Sequence, residues 1–296
     1  MDSQLDPGRR LEQARALHRR RIGALLRLAQ RKAAADAADA LAPIGTGPAQ
    51  IELLAAVAAR PDADQRGIGA ALGIDRSTIT TLVDSAEESR WMARNAGADR
   101  RRNLLGLTDA GRAMLDRGLK LLREADAATL AAAGAQGSAL TGLLHRLASP
   151  HAIADDAPAA LADSPSFLLR RLAQAAVASF AETAGEAALP GLDYAILLLL
   201  DRQLAETQTD LLVAISTFRS STTPALRRLE ADGLIERAAI AGDRRRRRLH
   251  TTSAGRDRLR ALEAPIAAYE AIFLAPLDTR EASLLRDILT RLADLV

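Results

Sequence analysis

Apolar residues recur at helical intervals along most of the chain. From about Arg9 to Ala40, Leu11, Leu17, Leu25 and Leu28 keep such spacing with no internal proline, which predicts one long helix, ended by Pro43, Gly45, Gly47 and Pro48. Ile51, Leu54 and Val57 predict a second helix that stops near Pro61. Asp64 is suited to cap a short third helix with Ile68, Ala71 and Leu72 inward. After the tight connection Gly73-Ile-Asp-Arg, Ser77 reads as the N-cap of a fourth helix, with Ile79, Leu82, Val83 and Ala86 inward. The period then changes. Trp91 and Met92 open an extended segment, Asn95 to Asp99 is turn material, and Asn103 to Leu107 alternates as a return strand. Thr108 caps a long helix that Gly134 to Gly137 interrupt and that resumes through Leu140, Leu143, Leu144 and Leu147.

Ser149-Pro150 to Ser164-Pro165 is Ala, Asp and Pro with few large apolar groups, a linker composition. The same order of elements follows it. A helix spans about Phe167 to Gly185, Pro190-Gly191 breaks it, and Tyr194, Leu197 and Leu200 lie on the next. Asp210 to Ile215 is a short helix, and Ser220 to Ala231 another, with Leu226 and Leu229 inward and Gly233 as C-cap. Leu234-Ile235 opens a hairpin, Thr252 caps a long helix, and Asp278-Thr-Arg-Glu281 has capping-box spacing for the last. The repetition extends to residues. Asp99-Arg-Arg-Arg-Asn-Leu-Leu-Gly-Leu-Thr-Asp-Ala-Gly111 returns as Asp243-Arg-Arg-Arg-Arg-Arg-Leu-His-Thr-Thr-Ser-Ala-Gly255, 144 positions on (99 to 243). Arg27-Leu-Ala-Gln30 returns as Arg171-Leu-Ala-Gln174 at the same offset. Between them the offset is 143, matching Arg76 with Arg219, Ser77 with Ser220 and Glu87 with Glu230, so the second hairpin carries one extra residue. The expected fold is mainly α with small β-wings: two tandem winged helix-turn-helix units, at 1–149 and 166–296, joined by a linker at 150–165.

Composition agrees with two domains of ordinary size: 296 residues, 48% hydrophobic but only 2% aromatic, an Ala/Leu-rich balance that favours helix. With no cysteine, disulfides and thiolate metal sites are excluded. The four histidines form no HxxxH pair, so neither a metal nor a cofactor is expected. Neither a Gly-rich phosphate loop nor a nucleophile elbow occurs, and no enzyme is expected. The apolar run Ala195 to Leu200 is far too short to span a membrane, and the first residues lack the order of a signal peptide; the expected location is cytoplasmic.

The net charge of +3 hides clustering, which matters more for a nucleic-acid partner. A recognition helix presents its first residues to base edges in the major groove. The candidates are Ser77, Thr78, Thr80 and Thr81 in the first repeat, and Ser220, Ser221, Thr223, Arg227 and Arg228 in the second. Hydroxyls bond phosphates or bases with little preference, whereas arginine grips guanine bidentately. The hairpin arginines Arg100, Arg101 and Arg102, and Arg244, Arg245, Arg246 and Arg247 with Arg248, suit a narrow, electronegative minor groove. Two or three of the second run are expected to reach DNA. Asp99 and Asp243 are either turn residues or braces that pair with a neighbouring arginine. An isolated arginine run also fits a solvated surface; the helix–turn–helix ahead of each copy favours DNA.

Ile74-Asp-Arg-Ser-Thr-Ile-Thr-Thr-Leu-Val-Asp84, then Asp99-x-Arg101, Leu105-x-Leu107-Thr108 and Gly111, resembles the MarR (multiple antibiotic resistance regulator) family. Arg219-Ser-Ser, Leu229-Glu230, Gly233-Leu-Ile, Arg237, Asp243-x-Arg245, Leu249 and Gly255 resemble it independently. The resemblance implies a transcription regulator that binds double-stranded DNA, a repressor released by a small phenolic or anionic effector. Because such units usually pair as homodimers through their first and last helices, it also implies that this chain is an intramolecular pseudo-dimer, monomeric as a chain. Three departures stand out. Arg90 replaces the family's glycine after the recognition helix, Ala86 replaces a leucine, and Pro224 lies early in the second recognition helix, which is expected to start late. Asp84, Glu87 and Glu88 make the first recognition helix acidic, which favours the alternative of a protein-interaction or RNA-binding scaffold. All Phe and Tyr lie in the second repeat. They are either core or an effector pocket in which Phe180, Tyr194 and Phe218 converge. His18 is a surface residue or an acid contact.

Overall fold

The computed structural model describes residues 6–61, 63–96, 103–153, 157–240 and 243–296, with backbone alone at 95, 96, 103, 239, 240 and 243–247. The first repeat runs α1 (Pro7–His18), α2 (Ile22–Leu41), α3 (Pro48–Ala59), α4 (Gln65–Leu72), α5 (Arg76–Glu88), β1 (Met92–Ala96), β2 (Asn103–Leu107), α6 (Asp109–Ala132) and α7 (Leu140–Ala148). The second runs α8 (Pro165–Ala184), α9 (Gly191–Asp201), α10 (Gln208–Ala214), α11 (Arg219–Ala231), β3 (Ile235–Ile240), β4 (Asp243–Thr251), α12 (Ser253–Leu274) and α13 (Thr279–Ala293). Each hairpin is a two-stranded antiparallel sheet, as winged helix-turn-helix units require. Among the described residues no single helix is long and apolar enough to cross a membrane.

Three expectations need correction. The opening stretch is two helices, because the backbone N–H of Ile22 donates to Glu270 Oε1 at 2.9 Å. A carboxylate from α12 thus caps α2, and Arg21 lies 3.7 Å from the same group. The N-cap of α5 is Asp75, two residues ahead of Ser77, since its carboxylate accepts from the amides of both Ser77 and Thr78. Finally, α11 starts at Arg219 despite Pro224, with the amides of Ser221 and Thr222 already bonded to the Phe218 carbonyl.

The Thr-x-x-Gly signature has a structural reason. Thr108 and Thr252 cap α6 and α12 by accepting from the amides of Gly111 and Gly255 at 3.0 and 3.1 Å. Each hydroxyl also donates at 2.7 Å across the wing, to the carbonyls of Arg90 and Gly233. A methyl at Gly111 or Gly255 would lie well inside contact with the carbonyl oxygen of Trp91 or Leu234. The wing is therefore locked to the helix behind it. Met92 pairs with Leu107, and Ile235 with Thr251, in the same register. The extra residue of the second hairpin falls at its tip, where the register shifts between Ala239 and Ile240.

The chain forms two compact units that are not contiguous in sequence: Met1–Leu25 with Ala176–Ala275, and Leu26–Ala175 with Pro276–Val296. The cause lies in the opening segments. In the unit holding α3 to β2, the N-terminal half of α8 packs as a core element, with Phe167 and Leu161 fully buried beside Leu54, Ile68 and Leu72. Arg170 holds the buried Glu52 in a bidentate pair and donates to the Leu72 carbonyl at 2.9 Å. Arg171 donates to the Ala71 carbonyl and Gln174 to the Gly73 carbonyl, so the second copy of the Arg-Leu-Ala-Gln motif is a C-terminal clamp on α4. Asp126 on α6 accepts from Ser164 Oγ at 2.6 Å and from the Ser166 amide at 3.1 Å, anchoring the start of α8. Burial pushes the carboxyls of Glu52 and Asp126 upward, against the pull of Arg170 and of the two serines. The linker composition hides Leu161 and one further buried residue, Ile153. In the unit holding α9 to β4, α1 plays the corresponding part. Ala14 lies in that core with Leu11 and Leu17 packed against it, Arg10 pairs with Glu206 at 3.2 Å, and His18 is buried rather than at the surface as one reading expected.

Arg90 occupies the left-handed conformation (φ +58°) that Gly233 occupies in the second repeat (φ +67°). A side chain there costs about 1–2 kcal/mol, part of which a glycine gives back through unfolded-chain entropy. Arg90→Gly should raise the urea midpoint, equivalent to roughly 0.5–1 kcal/mol, and Gly233→Ala should lower it by a similar amount. Unfolding followed by circular dichroism would show both; a lower midpoint for Arg90→Gly would contradict the assignment.

Candidate nucleic-acid interface

The two reading heads share their scaffold. Gln65 Nε2 donates to Thr80 Oγ1 at 2.7 Å, pinning α4 to α5; Gln208 Nε2 donates to Thr223 Oγ1 at 2.9 Å, pinning α10 to α11. Arg94 on β1 reaches Asp84 at 2.7 Å and Glu87 at 3.3 Å, and Arg237 on β3 reaches Glu230 at 3.0 Å. Both sets obey the 143-residue offset. They were missed in the sequence, although the matched Glu87 and Glu230 were the signal. They also change the meaning of the acidic first helix: two of its three carboxylates are neutralised by the wing.

The exposed ends of the recognition helices differ. On α5, Asp75 absorbs the hydroxyls expected to face DNA. Ser77 Oγ and Thr78 Oγ1 donate to its carboxylate at 2.5 and 2.6 Å, beside the amides of the same residues at 2.9 Å. These bonds hold the exposed Asp75 carboxyl well below the usual range, so it stays ionised. Thr80 and Thr81 donate back to the carbonyls of Arg76 and Ser77 at 2.8 and 3.1 Å. On α11 the corresponding N-cap is Phe218, which makes no side-chain cap bond. Arg219, Ser220 and Ser221 are exposed next to it, and Arg227 is exposed further along the helix. Thr222 is buried and donates to the Phe218 carbonyl at 2.8 Å.

Arg228 departs from the expected role. Its Nε and Nη2 donate to the two oxygens of the buried Asp193 at 3.0 and 2.8 Å, tying α11 to α9. Asp193 raises the arginine further above its ordinary value, first through the hydrogen bonds and then through its charge. Asp99 and Arg100 to Arg102 lie outside the described residues. Asp243 and Arg244 to Arg247 lie on β4, their side chains outside the described ones. Arg248, at the base of that hairpin, pairs with Glu206 at 3.1 Å, the same carboxylate that holds Arg10 on α1. Glu206 is thus a second positioning residue with no signal in the sequence.

Phe180, Tyr194 and Phe218 do not form one aromatic cluster. Phe180 meets Tyr269 edge-on at 5.7 Å between ring centres, and Tyr269 meets Phe273 at 5.5 Å. Tyr194 is partly buried against the α9–α12 core, and Phe218 is 65% exposed at the tip of α11. Its backbone position, set by the start of the helix, carries it away from the core.

Loss of Arg228 leaves Asp193 buried without its partner, whereas Arg227 is exposed and makes no hydrogen bond or ion pair among the described residues. Arg228→Ala should destabilise the chain by about 2–3 kcal/mol, below the full cost of a broken buried pair because the arginine is half exposed. Arg227→Ala should leave the melting temperature unchanged within about 1 °C and act on duplex affinity alone. Equal melting temperatures for the two variants would contradict this division.

Family models described as MarR family match this chain twice, at residues 44–102 and 192–246. A protein of Thauera aromatica, named for a transcriptional regulatory role in the hcr operon, is 35% identical over 134 residues, 45% of this chain and 80% of its own length. The crystal structure of the PcaV transcriptional regulator from Streptomyces coelicolor, solved with its natural ligand, is 30% identical with a TM-score of 0.42, covering 45% of this chain and 94% of its own. That of MarR is 25% identical with a TM-score of 0.39, covering 43% and 93%. With one relative matched over most of its length and two family matches in succession, the chain belongs to the MarR family of transcriptional regulators and carries two tandem copies of its domain.

Proposed function

We propose that the chain binds double-stranded DNA sequence-specifically as an intramolecular pseudo-dimer and represses transcription until a small phenolic or anionic effector releases it. The observation that carries this reading is the second head: a recognition helix that exposes Arg219, Ser220 and Ser221 in its leading turn and Arg227 further along, followed by a wing with consecutive arginines in its sequence. Arginine at such positions grips guanine in the major groove and phosphates alongside it. The wing runs Arg100 to Arg102 and Arg244 to Arg247 supply minor-groove and phosphate contacts. The pseudo-dimer reading is supported by the exchange of opening segments, since each compact unit is completed by residues of the other repeat. Release by an effector and the sign of regulation rest on family membership. The scaffold alternative loses its main support once Arg94 pairs with Asp84 and Glu87.

Duplexes selected from a random pool by the intact chain should bind with a steep inverse dependence on salt, about one counterion released per phosphate contact. Replacing Arg244 to Arg247 by alanine should flatten that slope by roughly two to three, and replacing Arg100 to Arg102 should flatten it less. Fluorescence anisotropy across a salt series measures both. A flat dependence for the intact chain would overturn the DNA-binding reading.

A further inference from the structure

The helices α2 and α8 start in equivalent ways, so their residues can be compared one by one. The Ser166 amide donates to Asp126 at 3.1 Å and the Ile22 amide to Glu270 at 2.9 Å, and donors and acceptors alike stand 144 positions apart. In each case the carboxylate belongs to the other repeat. An amide on a carboxylate does not tell one repeat from the other, but the residues around it do. Glu52 corresponds to Ala195 at the 143-residue offset and Arg170 to Leu26 at 144, and Ala195 and Leu26 are both buried. The first head thus joins the repeats through an ion pair inside its core, where the equivalent positions are apolar.

A second difference is one of size. Phe167 corresponds to Gly23, and Ala125 to Tyr269. Phe167 and the small Ala125 belong to one buried core, and Arg170 lies over the Phe167 ring, 5.3 Å from its centre. In the other unit the sizes are exchanged: a methyl group on Gly23 would already touch the Tyr269 hydroxyl at 3.4 Å, leaving no room for a ring.

We propose that these positions select the partner of each repeat, accepting the first repeat against the second and rejecting like against like. Two first repeats together would bring Leu26 to Glu52, burying a carboxylate without a cation, and Gly23 to Ala125, leaving a void. Two second repeats would bring Arg170 to Ala195, a guanidinium without an anion, and Phe167 to Tyr269, two rings where one fits. The selection deepens the pseudo-dimer reading and rests on it.

The test uses the whole chain with a protease site inserted between Ala154 and Asp155, cut only after folding. Native mass spectrometry of the cut chain should give the mass of one chain; fragments that part on cutting would overturn the pseudo-dimer reading itself. Unfolded in urea and refolded by dilution, the fragments should return as unlike pairs, with like pairs at least about 100-fold rarer, the factor that an uncompensated buried charge imposes. In the variant Glu52→Ala/Arg170→Leu/Gly23→Phe/Tyr269→Ala both heads carry the same chemistry, and like pairs should approach unlike ones in number. Like pairs from the unaltered fragments, or none from the variant, would overturn the selection while leaving the pseudo-dimer intact. The uncut chain gives a measurement that needs no reassembly of fragments. Gly23→Phe and Tyr269→Ala should each lower its urea midpoint, and together they should recover most of the loss. Losses that simply add would also overturn the selection.

Discussion

Glu52 is a carboxylate inside a hydrophobic core, and the arrangement of this chain follows from what it requires. Left alone there, an ionised carboxylate costs several kcal/mol. Among the described residues its cation comes from the second repeat, Arg170, whose guanidinium spans both oxygens. Desolvation of such a pair offsets much of its attraction, so its effect lies less in net stability than in what is lost without it. Asp126 makes the same demand and is met by Ser164 and Ser166, again from the second repeat. In the other unit the traffic is reversed: α1 and Arg21 from the first repeat meet Glu206 and Glu270 of the second. Neither head is complete with residues of its own repeat.

On that common footing the copies have diverged both inside, where the buried Glu52 and Asp193 have no carboxylate counterpart in the other repeat, and on the outward face of the heads. The pins between Gln65 and Thr80 and between Gln208 and Thr223 are equivalent, as are the braces Arg94–Glu87 and Arg237–Glu230 and the threonine caps behind each wing. On the outward face, what changes is the first turn of the recognition helix, where Asp75 corresponds to Phe218, and the wing tip, where the second copy adds a residue. A single duplicated scaffold thus presents two chemically different surfaces. In the proposed complex, fusion would hold both at a high effective concentration, so that a head gripping weakly by itself would still contribute.

The helices, the wings and the repeat were legible because they rest on local signals: periodicity, caps and the Thr-x-x-Gly junction. Arg227 and the exposed serines of α11 were legible for the same reason. The break at Arg19 to Arg21 was not, because Glu270, some 248 residues away, caps α2. Nor was the fate of Arg228, which depends on a buried Asp193 on another helix. Ser77 and Thr78 looked like free hydroxyls because the sequence gives no direction to a side chain; Asp75, two and three residues ahead, takes both. Phe180 and Phe218 looked alike by composition, yet one is packed on Tyr269 and the other stands at a helix tip.

The central claim is that one chain does what two family subunits do. Native mass spectrometry of the chain with its selected duplex tests it most directly. One chain per duplex, with protection of two half-sites and a ratio that does not change on dilution, is the predicted result. Two chains per duplex, or a single protected half-site, would contradict it.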